Sequence, residues 1–236
     1  MKTIVSAEPT SGEDGGKFDP ELFDFLRELR QNNNREWFTA NKERYETFVL
    51  QPLLRFVEAF GSRLGEISPH FMADARRMGG SIFRIYRDTR FSSDKSPYKT
   101  NAAAHFRHSS AAKDVHAPGF YLHLEQGRCL GGGGSWHPDR ESLGKIRDRI
   151  VAAPAEWESV RASGIALDGD SLKRPPTGYP ADHHYVQDLK RKDFFVMTSF
   201  SDAEVCSSDF VDRYLAACKD AAPLVRFLTT ALDLPF

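Results

Sequence analysis

The chain has 236 residues and a mass of 26.6 kDa, long for one ordinary domain and short for two, so a single compact domain is the expectation. Its 32 Lys and Arg offset 33 Asp and Glu to a formal net charge of -1, which excludes uniformly basic histone-like, ribosomal and polybasic membrane-binding proteins. With 40% hydrophobic residues, 18 Phe among them, the chain can bury a sizeable core and is not a candidate for wholesale disorder.

Residues 1–17 read as a flexible leader, because the stretch SAEPTSGEDGGK is turn-forming and charged. The apolar patch Thr3–Val5 before it falls far short of the roughly 7–15 residues of a signal-peptide core. No window approaches the ~18 apolar residues of a membrane span, so no membrane partner is expected. Cys129, Cys206 and Cys218 are odd in number and include no CxxC pair, which argues for reduced thiols and a cytoplasmic location.

Residues 18–236 are expected to form a single α+β domain: helical over 19–70, sheet-rich over 80–135, and mixed helix, loop and strand over 136–236. Asp19-Pro20 is a helix start, and Leu22, Phe25, Leu26 and Leu29 form one apolar stripe up to the turn at Asn32, Asn33 and Asn34. Helical spacing resumes through Trp37, Tyr45, Phe48, Val49, Leu53, Phe56, Val57, Phe60 and Leu64, with Pro52 expected to kink or divide the run.

From Ser81 the period falls to two. SIFRIYRD, 81–88, predicts a strand in which Phe83 and Ile85 alternate with Arg84 and Tyr86. A second strand sets Ala102, Ala104 and Phe106 against Ala103, His105 and Arg107, and a third sets Phe120, Leu122 and Leu124 against Tyr121, His123 and Glu125. Gln126-Gly127 turns the chain into Arg128–Leu130. Strands joined this closely make a central antiparallel meander of about four to five strands, flanked by N-terminal and C-terminal helices.

Pro138 opens a helical stripe of Leu143, Ile146, Ile150 and Val151, and Pro154 restarts it through Trp157 and Val160. KRPPTGYPADHHY, 173–185, reads as an ordered surface loop and DFFVMTSF, 193–200, as one more strand. Ser201-Asp202 caps a following helix, and Pro223 begins the last one, with Leu224, Phe227, Leu228 and Leu232 facing inward.

Near-zero total charge conceals segregation. Residues 76–107 carry Arg76, Arg77, Arg84, Arg87, Arg90, Lys95, Lys99 and Arg107 against Asp88 and Asp94, whereas residues 201–236 carry an excess of three negative charges. Within the basic segment a two-residue period puts Arg84, Tyr86 and Asp88 in one row, a guanidinium, a phenol and a carboxylate together. Arg84, Tyr86, Arg87, Arg90, Lys95, Tyr98 and Lys99 are therefore the candidate ligand-binding set. Their planar forks and point charges suit a phosphate- or carboxylate-bearing small molecule. Asp88 and Asp94 are the candidate bases, should the site be catalytic. Two alternatives stand beside this reading. The same cations could track nucleic-acid phosphates while Phe91, Tyr98 and Phe106 stack on bases, which is not favoured, or the arginines could form an ion-pair network internally or with the acidic C-terminal region.

RIYRDTRFSSDKSPYKTN, 84–101, preceded by FLRELRQNNNREWFTANKERYE and followed by PGFYLHL and GGGGSW, resembles the bacterial and fungal family known as domain of unknown function 2461. KRPPTGY and LKRKDFFV are similar to its second conserved portion. The resemblance covers about Phe18 to Leu232. It implies a single-domain α+β intracellular protein and supplies no activity, substrate or cofactor.

Weaker candidates complete the reading. Asn33, Asn34, Arg35, Glu36 and Trp37 lie at a helix entry that could bind an anion, with capping as the plainer role. Gly131–Gly134 lead toward a helix N-terminus without the Lys and Ser/Thr of a Walker loop, so close packing or a bulge is the simpler explanation. His105 and His123, with Glu125, could fall on adjacent strands as metal ligands, but no diagnostic spacing supports a metal site, and no cofactor is indicated. His183 and His184 beside Asp182, and Ser92, Ser93 and Ser96, lack an organised partner.

Overall fold

The computed structural model describes residues 16–111, 114 and 116–236; residues 1–15 of the expected leader lie outside the described residues. Helix α1, Glu21–Gln31, buries Leu22, Phe23, Phe25, Leu26 and Leu29. It starts one residue after Pro20, and Asp19 does not cap it: the carboxylate pairs with Lys17 at 3.5 Å instead.

After the asparagine turn come α2 (Arg35–Ala40), α3 (Lys42–Tyr45), a π-helical turn over Glu46–Leu50, and α4 (Gln51–Leu64). The expected break at Pro52 is absorbed by that wide turn. Gln51 N–H reaches back to Glu46 O, and Pro52 then occupies the first turn of α4, where a missing N–H costs nothing.

Four antiparallel strands follow in sequential order: β1 (Ala102–Arg107), β2 (Gly119–Glu125), β3 (Arg128–Ser135) and β4 (Phe194–Phe200). The fold is thus the α+β meander that the alternation predicts. Gly127, at φ +71°, supplies the left-handed residue of the β2–β3 hairpin.

Segment 81–88 differs from the expected strand. It is bridged only singly, Ile82 to Ala104 and Tyr86 to Tyr98. Its first half bonds the edge of β1 (Phe83 N–H to Ala103 O, 3.0 Å), and its second half bonds its own return (Arg87 N–H to Pro97 O, 2.9 Å). Changing partner midway prevents a continuous ladder, whatever the side-chain period.

Between β3 and β4 lie α5 (Arg140–Ala152), α6 (Pro154–Ala162) and α7 (Val186–Leu189), and after β4 come α8 (Asp202–Val205) and α9 (Phe210–Ala231). Asp139, one residue after Pro138, caps α5. Ile146 and Ile150 are buried, but Val151 is exposed, because a single-residue step carries it about 100° round the helix from Ile150. Ser201 makes a capping box with Glu204 on α8, a single turn.

Pro223 lies inside α9 rather than at the start of a helix. Its neighbours Ala221, Leu224 and Val225 are completely buried, and packing on both sides of the proline outweighs the ~3 kcal/mol an interior proline costs.

One face of the sheet carries Ala104, Phe106, Phe120, Leu122, Leu124 and Cys129, buried against α4 and α9 in the main core. Gly131 and Gly133 let α9 approach: a Cβ on Gly131 would lie 2.6 Å from the Tyr214 ring, and one on Gly133 2.8 Å from Val225. A second cluster joins Ile146, Ile150, Trp157 and Phe194 to Leu224, Phe227 and Leu228 of α9. Among the described residues no helix covers the opposite face of the sheet.

Candidate functional site

The uncovered face follows from strand parity. Residues 121, 123 and 125 of β2 share it, with His105 of β1 paired to Tyr121 and Leu130 of β3 paired to His123. A cleft of about 520 Å³ opens there. Phe83, Ala103, Leu130, Phe195, Met197 and Trp136 supply an apolar lining, and Lys99, Asn101, His105, Tyr121, His123 and Arg128 supply the polar groups.

These polar groups form a connected series. Glu125 is gripped by Arg30 from α1, and Thr100 donates to it at 3.4 Å. Its other oxygen lies 3.4 Å from His123 Nε2. Asn101 Nδ2 approaches His123 Nδ1 at 3.4 Å, and the Tyr121 hydroxyl reaches the same nitrogen at 3.3 Å. An amide NH2 can only donate, so Nδ1 is the acceptor and the ring proton sits on Nε2, facing Glu125.

Burial governs the protonation states. It lowers His123 below the usual imidazole range despite the opposing pull of Glu125, and it raises the Tyr121 phenol. His105, 8% exposed, is pushed down to about 4 by burial and then by Arg107, with Asp114 acting the other way. Lys99 is lowered by burial and then by the neighbouring Arg84. Its ammonium lies 4.9 Å from the centre of the Phe83 ring, and among the described residues no carboxylate forms an ion pair with it or with Arg128.

At the rim, Trp136 is more than half exposed and packs against the His137 ring, tilted, with centroids 4.1 Å apart. His137 is held at φ +50° by buried Asp193, which accepts its backbone N–H at 2.7 Å and lies 3.2 Å from its Nδ1. The second Asp193 oxygen accepts the Asp170 N–H at 2.9 Å. This carboxylate ties the backbone at His137 to that at Asp170.

Of the seven residues drawn from the charge pattern, Lys99 lines this cleft. Arg87 pairs with Asp94, Arg90 pairs with Asp88 at 2.7 Å, and the Lys95 ammonium donates to Thr89 O at 2.9 Å, all within the loop itself. Arg84 is exposed. Tyr86 is half exposed, whereas Tyr98 is buried, stacked on Phe38 at 4.0 Å and bracketed by Asn33, whose amide bonds both its N–H and its carbonyl.

The Arg90 side chain and backbone N–H, and then Arg84, hold Asp88 at about 2; Ser96 and then Arg87 hold Asp94 well below the carboxylate range. Carboxylates this acidic are poorly matched to base work near neutral pH. Tyr98 and Phe106 are buried, so of the three suggested base-stacking rings only Phe91 is exposed. The C-terminal acids Asp209, Asp212 and Asp233 pair with Arg213, Arg63 and Lys145, not with the basic segment.

The weaker candidates are accounted for locally. Asn34 caps α2, and Gly131–Gly134 are strand residues. His183 accepts the Tyr185 N–H and His184 packs on the Tyr185 ring, and the Ser96 hydroxyl donates to Asp94. Among the described residues no group of three or more His, Cys, Asp or Glu is arranged to hold a metal ion. Asn101, Tyr121 and Arg128 join the site without having been singled out in the sequence, although Asn101 and Tyr121 lie within the strings RIYRDTRFSSDKSPYKTN and PGFYLHL; the polar face of β2, ionisable at 121, 123 and 125, is the signal that points to Tyr121.

A family model described as "Conserved hypothetical protein (DUF2461)" matches residues 21–227. No curated protein and no solved structure matches the chain. No helix among the described residues is long and apolar enough to cross a membrane.

Proposed function

The chain belongs to the DUF2461 family of conserved hypothetical proteins, a description that assigns no chemistry, and from the cleft itself we propose that this protein binds a small anionic molecule on the open face of its sheet. The observation that carries the reading is the charge balance of the cleft. Glu125 is already engaged by Arg30, whereas Lys99 and Arg128 have no carboxylate partner among the described residues. A cation desolvated against Phe83 and left without a counterion gains most from a carboxylate or phosphate brought by a ligand. The apolar walls accommodate the body of that ligand, and Tyr121, Asn101 and His123 offer it oriented hydrogen bonds.

A thermal-shift panel of small carboxylates and phosphates tests this. At a concentration ~100-fold above Kd, binding is expected to raise the melting temperature by about 5–10 °C. Lys99→Met and Arg128→Ala are expected to abolish the shift, and Lys95→Ala, on the loop, to leave it intact. A wild-type protein that no anion stabilises would overturn the proposal.

A further inference from the structure

We propose that the anion this cleft accepts is an aromatic acid, its carboxylate at Lys99 and its ring on the bare sheet between Tyr121 and Trp136, a deepening that rests on the anionic-ligand reading above. The polarity of the open face is graded along the strands. Glu125 pairs with Arg128 at one end of the β2–β3 ladder and Gly119 pairs with Gly134 at the other, six residues or ~20 Å away. Asn101, bonded to His123, and Arg128 lie toward the first end, whereas Phe195, paired with Gly134, and Trp136 lie at the second.

The second end is shaped for a flat ring. Gly119 and Gly134 are neighbours across the ladder and both line the cleft, so its floor there is peptide backbone. A Cβ on Gly119 would already lie 2.7 Å from His105 Nε2. Tyr121 and Trp136, each two residues along the chain from one of these glycines, line the cleft on opposite sides of that floor. The Trp136 indole is exposed, yet its backbone is fixed: His116 Nδ1 donates to Trp136 O at 2.9 Å, and Asp193 accepts the following N–H at 2.7 Å. An aromatic face held on an anchored backbone loses little freedom when a ligand ring packs against it.

The charge lies one ring away. The Lys99 ammonium is 4.9 Å from the centre of Phe83, a contact that favours its cationic form, and the Phe83 centre is 6.1 Å from that of Tyr121. A carboxylate on Lys99, joined to its ring by a short alkyl linker, therefore brings that ring beside Tyr121 and over the glycine floor.

Isothermal titration of the full chain with 4-phenylbutyrate, 4-cyclohexylbutyrate, butyrate and the neutral 4-phenylbutyramide tests the assignment. The cyclohexyl ring is at least as hydrophobic as phenyl but has no π face. The expected Kd of 4-phenylbutyrate is several-fold below that of 4-cyclohexylbutyrate and ~10-fold or more below that of butyrate. Trp136→Ala is expected to erase the preference for phenyl over cyclohexyl and to leave butyrate binding unchanged, and Trp136→Phe to keep the preference.

Equal affinity for the phenyl and cyclohexyl acids, or a preference that survives Trp136→Ala, overturns the ring site while sparing anion binding. The amide binding as tightly as its acid, with the phenyl preference intact, overturns the anionic reading while sparing the ring site. Binding of none of the four overturns the aromatic acid. The wild-type comparison of the two ring acids decides the matter by itself should a Trp136 variant fail to fold.

Discussion

His105 illustrates how one buried ring couples the open face to pH. Stacked parallel to Phe83 and edge-on to Tyr121, it is held neutral, with its folded value near 4 against about 6.5 in the unfolded chain. The unfolded state therefore binds the proton first as pH falls. Above about pH 6.5 the group contributes no pH dependence; between ~6.5 and ~4 stability should decline, by about 3 kcal/mol in all. Urea unfolding across pH 4–7 is expected to show this slope in wild type and a shallower one in His105→Phe, which keeps the aromatic packing and removes the titration. Equal slopes would show that the ring is not held neutral. His123 is lowered in the same direction but is anchored to Glu125, so the two histidines of one face have different tasks.

At the scale of elements, the junction of β3 and α9 decides how closely helix and sheet can pack. Gly131 lies under the Tyr214 ring, and Phe200 of β4 closes the same gap. The Tyr214 ring cannot retreat readily, since it is completely buried and packs against Phe56, Phe60 and Phe106. Gly131→Ala should therefore destabilise by about 1–3 kcal/mol through overpacking, the reverse of the usual gain from replacing glycine in a strand. Chemical denaturation checks the sign. The loop 84–99 is organised differently, by pairs between neighbours such as Asp88 with Arg90. Those pairs are exposed, and Coulomb attraction there is largely offset by solvation and side-chain entropy.

For the whole molecule, α9 contributes buried residues to both hydrophobic clusters. Phe210, Tyr214, Cys218 and Val225 enter the first, and Leu224, Phe227 and Leu228 enter the second. A chain ending at Asp209 is expected to lose near-ultraviolet circular dichroism altogether, because both clusters lose a wall. In a full-length chain carrying Trp37→Phe and Trp136→Phe, which leaves Trp157 as the single tryptophan, its fluorescence and far-ultraviolet circular dichroism should give coincident unfolding transitions. Separate transitions would show that the cluster around Trp157 unfolds independently.

Local pattern carried the elements. The stripe of α1, the alternation of β1 and β2, the Gln126-Gly127 turn and the Ser201 cap depend on residues within a few positions of one another, where side-chain period and turn chemistry act directly. Segment 81–88 and Pro223 departed from that pattern because hydrogen-bond partners and packing from distant residues outweighed local preference. The site shows the same division. Charge density along the chain draws the eye to Arg87, Arg90 and Lys99 as a group, yet the loop pairs the two arginines with their own aspartates and turns Lys99 toward the sheet. The sequence alone determined an α+β meander with a polar, ionisable face on β2. Which face of that sheet the helices would leave open, and hence that Lys99 would meet His123, Tyr121 and Arg128 in one cleft, was decided only by tertiary packing, since those residues are brought together by strand register and not by spacing along the chain.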